Sequence, residues 1–430
     1  MLSALGRRAG LLIAGLMALA PLGVAPVYAN DGIDDIVTGS VSSSAAVAPA
    51  NGSAAFGKAL ERIAAGDYAA AYDQARTIPS DLERRTAQWA AIYFGDGAVD
   101  YTAVLRFSAD APALANTDVF KTRLEQALTK AAPDAATTIK VLGGAMPNTV
   151  EAQIALAQAY VASGQEERAA RIARTIWTDN FLDRGSEEKV LKSLGELIDS
   201  KTHWARAVHL MMHDRAAAVE RLFDHMTPAQ KSLAVARNAV SRNAKDAKKL
   251  LDSVDPSMQM HPVFLFSRAQ RARQFELWDD AIAWLDKAPG DAPDAAEFWH
   301  ERRTLIRQLL GLNDAKRAYL AAAHYTEGPE GRLVEARFHA GWIALAFLKE
   351  PKAAIPQFQQ MGRLSTLADS VTQANYWLGR SFAAAGDAAS AAAAYEEAAK
   401  HGTVYYGILA RTELGLADVE LRSMPEWKSG

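Results

Sequence analysis

Carboxylate pairs, a histidine pair and a set of tryptophans are the residues of this chain whose types and spacing could do chemistry. Asp34-Asp35, Glu187-Glu188 and Glu396-Glu397 place two acids side by side, the raw material of general acid–base catalysis. Neighbouring residues on a helix point about 100° apart, so such pairs do not converge on one bond, and solvated faces are expected. His209 and His213 lie four apart in His203–His213 (HWARAVHLMMH), where two imidazoles could share an ion. No Glu follows the first His as in HExxH, and no third ligand is apparent in the sequence. Helix packing is therefore the expectation, and neither a metal site nor a cofactor site is assigned. Glu297, His300 and Glu301 read as a helix surface, and Arg84-Arg85, Lys248-Lys249 and Arg302-Arg303 as surface charge able to face an anionic polymer. Gly143-Gly144 is a turn, not a phosphate loop. Most of the nine tryptophans fall on helical apolar stripes and belong in cores; Trp427 stands outside any stripe, placed to dock on something else.

The elements that would position these residues are helices. Half of the 430 residues are apolar, and the excess is Ala rather than Val, Ile or aromatics, which favours helix over strand. No segment sustains period-two alternation. Short helices alternate with turns instead: Phe56–Ile78 folds back at Gly66-Asp67, Glu151–Trp177 at Ser163-Gly164, and Val263–Leu285 at Leu277-Trp278-Asp279. Phe298–Leu310 and Ala315–Tyr325 pair across 311–314, and Phe338–Leu348 and Ala353–Met361 across Glu350-Pro351. Ser186–Ile198 and Trp204–Phe223 read as long helices, and Ala288–Asp294, with Pro289 and Pro293, as a loop. Thr227-Pro228 carries the order of an N-cap followed by Pro at the first helical position. The pattern predicts an all-α, right-handed α-superhelix, a solenoid of stacked hairpins with irregular spacing.

Met1–Ala29 reads as a secretory signal peptide: Arg7 and Arg8, an apolar run from Leu11 to Leu19, and small residues at Val27 and Ala29, with cleavage before Asn30. Residues 30–55 form a Ser- and Ala-rich arm expected to be disordered. Forty-seven basic against 50 acidic residues give a formal charge of −3; loss of Arg7 and Arg8 with the leader takes it to −5 (45 against 50). That balance offers no support for a nucleic-acid partner, and no membrane span is expected after signal cleavage. The absence of Cys excludes disulfides, thiol catalysis and a Cys-linked lipid anchor.

The most specific stretch is Ala374–Gly415. Leu378, Gly379 and Phe382 line one helix, Gly386-Asp387 turns the chain, and Ala391, Tyr395 and Ala398 line the facing helix, a hairpin of the tetratricopeptide kind. Tyr405-Tyr406-Gly407, Ala410 and Leu414-Gly415 follow. This spacing, with 337–348 (RFHAGWIALAFL) and Tyr376–Arg380, resembles the segment just ahead of the catalytic domain in soluble lytic murein transglycosylases. The resemblance covers about 56–420 and is strongest after Arg337. It implies a superhelical domain over 56–325, a linking helical domain over 332–420, and a tail over 421–430 leading to a catalytic domain that would begin about where this sequence stops.

In that family one Glu of a lysozyme-like domain protonates the glycosidic oxygen, marked by Glu-Ser, then Gly-Leu-Met-Gln and Ala-Tyr-Asn. This sequence has no Glu-Ser, its only Gly-Leu-Met lies in the leader, and Ala374-Asn375-Tyr376 has the wrong order. No catalytic residue carries over, and whether the chain counts as an enzyme stays open. The expectation is a periplasmic, non-catalytic superhelix that positions peptidoglycan glycan strands or the catalytic domain, with Tyr405, Tyr406 and Trp427 as candidate docking residues. The alternative is a free-standing periplasmic repeat scaffold that binds a protein partner.

Overall fold

The computed structural model describes residues 52–292 and 294–417; the signal peptide, most of the arm, Pro293 and Trp427 lie outside the described residues. Every regular element among the described residues is helical, with no strand. The chain divides into two compact units at Ala91/Ile92. In the first, helices Ala54–Ala64 and Tyr68–Ala75 pack on each other, with Ala59, Ala75, Ile78 and Ala87 in a small core. Pro79 follows the second helix, and Asp81–Phe94 carries the boundary.

In the second unit four hairpins share one turn device. The turn residue adopts positive φ at Gly164 (71°), Glu276 (59°), Asn313 (60°) and Gly386 (82°). The next residue then bonds back to the carbonyl five positions earlier: Gln165 to Tyr160 (2.8 Å), Leu277 to Ala272 (2.9 Å), Asp314 to Leu309 (2.8 Å) and Asp387 to Phe382 (2.9 Å). These Schellman closures satisfy carbonyls that a helix end would otherwise leave bare. Gly66 and Asp67 repeat the device in the first unit (φ 77°, 2.9 Å to Arg62). At several turns the second helix opens on its own cap, as where the Asp314 and Asp387 carboxylates accept from Arg317 N and Ser390 N. Thr227 and Gln230 form a reciprocal capping box ahead of Pro228–Ser241.

Small residues let the helices approach. A Cβ on Gly379 would stand 2.6 Å from the Tyr395 ring, and one on Gly341 2.7 Å from Phe358. The order of small and large residues around Gly379 therefore does what its sequence suggests. One apolar cluster runs from Leu128 to Ile343; two more centre on Phe358 and Met361 and on Tyr376 and Tyr395. Each helix packs chiefly on neighbours one or two places along the chain.

Three predicted elements differ. The long helix expected over Ser186–Ile198 runs as α-helix only over Arg184–Leu194 and ends in a 3₁₀ turn, Gly195–Leu197. The long helix expected over Trp204–Phe223 is broken: Ser200–Met212 is α-helical, and a 3₁₀ segment, Ala216–His225, follows. Asp214 takes φ 56° at the break, where its carboxylate accepts from Arg237 (2.5 Å) and Ser241 (3.1 Å), and Arg215 N closes on Leu210 O (2.8 Å). Apolar periodicity continues through such a break, so the pattern did not mark it. The helix expected from Phe338 begins eight residues earlier, at Glu330 behind Pro329.

Candidate functional site

Four arginines that periodicity leaves looking polar are buried: Arg206, Arg237, Arg302 and Arg337. Each reaches the carbonyl end of a neighbouring helix. Arg206 donates to Trp177 O (2.7 Å), Arg237 to Met211 O (2.9 Å), Arg302 to Ala321 O (3.0 Å), and Arg337 to Ala323 O (3.3 Å) and Tyr325 O (2.6 Å). A guanidinium offers five donors in a plane, enough to serve orphan carbonyls and an acid together. The acids are Glu187 for Arg206, Asp214 for Arg237 and Asp286 for Arg302; Arg337 uses Gln357.

Three sequence expectations are corrected here. Arg302 is core, not surface charge, because its donors are needed at Ala321 and Asp286. Glu187 is not on a solvated face; it bridges Arg206 and Arg221. Glu301 is buried against Arg273 rather than lying on a helix surface. Glu188 and Glu397, by contrast, pair with Arg184 and Lys400 at exposed positions.

The histidine pair meets a carboxylate that the sequence does not place beside it. His209 and His213, at the end of Ser200–Met212, meet Asp294, which arrives on the loop ahead of helix Ala296–Gly311. His209 Nδ1 lies 3.3 Å and His213 Nε2 3.1 Å from the same Asp294 Oδ1. One nitrogen or oxygen from each residue lies within 4.8 Å of those of the other two. Glu297 sits behind His213, 3.5 Å from Nδ1, and also holds His300. Phe181 covers the pair, its ring 4.8 Å from His209 and 5.2 Å from His213, with Arg215 4.5 Å over it. Burial alone would push the Asp294 carboxyl up, but the two histidine hydrogen bonds outweigh it and hold it below the usual range. The contacts join residues 85 and 81 apart, against 38 for such bonds between successive hairpins as Arg317–Asp279. No local spacing could have found Asp294; the two prolines of its loop mark a loop and not its destination.

Of the predicted docking residues, the structure separates the two tyrosines. Tyr406 packs on Tyr376 (5.5 Å between rings), and its hydroxyl accepts from Gln373 Nε2 (3.1 Å), so it closes the last hairpin. Tyr405 is 66% exposed, with Ile408 and Leu416 also exposed nearby in the chain. Further exposed apolar side chains stand at hairpin turns: Phe275, Leu277, Leu312 and Phe347. Trp177 and Trp299 are fully buried, as core tryptophans should be. No helix among the described residues is long and apolar enough to cross a membrane. Neither a family model nor a curated protein matches this sequence.

Proposed function

We propose that this chain is the superhelical, non-catalytic part of a soluble lytic murein transglycosylase, exported to the periplasm, where it positions glycan strands or the catalytic domain during peptidoglycan cleavage and turnover. The observation that carries the reading is the terminal region. There the residues that resemble the family occupy the contacts that such a hairpin requires: Tyr395 seats on Gly379, Tyr406 closes on Tyr376, and a Cβ at Gly407 would collide with the His401 carbonyl at 2.1 Å. The chain-local packing of the helices is what a solenoid requires; its right hand, and a superhelical domain to about 325 with a linking domain from about 332, rest on the family resemblance. In this reading Tyr405, Ile408 and Leu416 form the face offered to the catalytic domain.

The second reading, a free-standing scaffold for a protein partner, draws on the exposed apolar side chains at the turns, Phe275, Leu277, Leu312 and Phe347. Product analysis tests the first. The purified chain, incubated with isolated murein sacculi, should release no 1,6-anhydro-muropeptides detectable by mass spectrometry, whereas a complete transglycosylase run beside it should. Anhydro products from this chain alone would overturn the non-catalytic assignment.

A further inference from the structure

Outside the terminal face, the feature that neither the solenoid nor the glycan reading uses is the junction of His209, His213 and Asp294. We propose that these three residues bind one divalent transition-metal ion of the zinc class, which ties Asp294, just ahead of helix Ala296–Gly311, to the end of helix Ser200–Met212.

Two of the three ligand separations match a set gathered around one ion, and all three ligand atoms lie within 4.8 Å of one another. Ligands about 2.0–2.1 Å from a tetrahedral centre lie roughly 3.3 Å from one another. Asp294 Oδ1 lies 3.3 Å from His209 Nδ1 and 3.1 Å from His213 Nε2. Two imidazoles and one carboxylate make a mixed nitrogen and oxygen set that suits Zn²⁺, Co²⁺ or Ni²⁺ and not the oxygen cages of Ca²⁺ or Mg²⁺.

The orientation of His213 suits such an ion. Both ring nitrogens of His213 face carboxylates, Nε2 towards Asp294 and Nδ1 towards Glu297. A neutral imidazole has a single N–H and satisfies only one of them. With N–H on the Glu297 side, Nε2 presents its lone pair to Asp294 Oδ1, an unfavourable approach that a cation between them turns into two bonds. Glu297 then acts as the outer carboxylate that fixes the tautomer and orientation of a ligating histidine. Three protein ligands leave one position for water. Phe181 covers one side of the imidazole pair, and His209 is largely withdrawn from solvent.

The ion would link residues 85 apart, a span that the helix-to-neighbour packing does not otherwise bridge with the bonds of successive hairpins. Its role is structural: it fixes the loop ahead of Ala296–Gly311 against the end of an earlier helix. Nothing in the proposal depends on the murein reading.

The test uses the purified chain, stripped with a chelator, exchanged into metal-free buffer and titrated with ZnCl₂ against a chromophoric competitor. One zinc per chain is expected, undisturbed by excess Mg²⁺ or Ca²⁺. His213→Asn and Asp294→Asn should each weaken it at least about 100-fold and Glu297→Gln about tenfold, while His401→Asn, at an exposed position in another hairpin, leaves it unchanged. Far-UV circular dichroism checks that each variant is folded. If a variant fails to fold, X-ray absorption of the zinc-loaded parent decides, where two imidazoles in a nitrogen and oxygen shell at about 2.0 Å are expected. No stoichiometric uptake, uptake indifferent to all three variants, or a shell without two imidazoles would overturn the proposal.

Discussion

Replacing either member of the Arg206–Glu187 pair should destabilise the protein unequally, and the structure says which replacement costs more. Arg206 has no solvent exposure and one anionic partner, Glu187, with Nε 3.2 Å from Oε1. Glu187 has two cationic partners, because Arg221, which is 40% exposed, donates from 2.7 Å. In Glu187→Met the Arg206 guanidinium stays buried without a counter-charge, a situation that costs about 3–5 kcal/mol. In Arg206→Met the carboxylate keeps Arg221. The losses are then the unserved carbonyl of Trp177, about 1–3 kcal/mol, and the stacking of the guanidinium 4.5 Å over the Trp177 ring, about 1 kcal/mol. The total is about 2–4 kcal/mol, centred about 1 kcal/mol below the loss for Glu187→Met. The double variant leaves no buried charge and should cost at least about 1 kcal/mol less than the sum of the singles. Urea unfolding followed by circular dichroism at 222 nm, with equal slopes for all four proteins, measures each value. A larger loss for Arg206→Met than for Glu187→Met, or additive losses, would refute the assignment of Glu187 as the counter-charge that makes Arg206 tolerable.

Three further predictions follow from the same contacts. His203 is buried against the His225 ring, 3.7 Å between centroids, and burial first, then His225, lowers its pKa from 6.5 to about 4. Between those values the unfolded chain binds a proton that the folded one refuses, so stability should fall as pH drops from 6.5 towards 4, by on the order of 1 kcal/mol per pH unit. His203→Gln should remove that part of the slope in urea midpoints, and an unchanged slope would refute it. At the turns, Glu276→Gly should stabilise by about 0.5–1 kcal/mol, because φ 59° strains a side-chain-bearing residue, whereas Gly386→Ala at φ 82° should destabilise by about 1 kcal/mol; thermal midpoints moving the other way would contradict the shared turn geometry. Small-angle scattering tests the solenoid itself: a compact globule of roughly 400 residues has a radius of gyration of about 21 Å. A superhelix should lie well above that value, and a result near it would refute the arrangement.

The hairpins were legible in the sequence because their signals are local. A turn residue that tolerates positive φ and small residues facing aromatic ones place the fold-backs at Gly66, Gly164 and Gly386 within a residue or two, with an Asp behind the first and the last. Glu276 and Lys349 also take positive φ without being Gly or Asn, and there the residues just beyond, Leu277-Trp278-Asp279 and Glu350-Pro351, marked the turn. The break at Asp214 was not legible, because the apolar pattern runs on through it and the reason for it, the reach of Arg237, comes from 23 residues away. Buried charge was illegible for the same reason. Arg302 and Arg303 are neighbours of one type, yet the first serves Ala321 and Asp286 inside while the second reaches Glu335 from a half-exposed position. Asp294 shows the limit most clearly: spacing brings His209 to His213, and only folding brings a carboxylate from 81 residues beyond His213.

The most direct measurement is co-sedimentation of the purified chain with murein sacculi, quantified against a helical protein of similar charge. A positioning superhelix should pellet with the sacculi in a saturable way and be displaced by soluble glycan strands. A chain that stays in the supernatant under every condition in which a complete transglycosylase pellets would contradict the murein reading and turn attention to a protein partner.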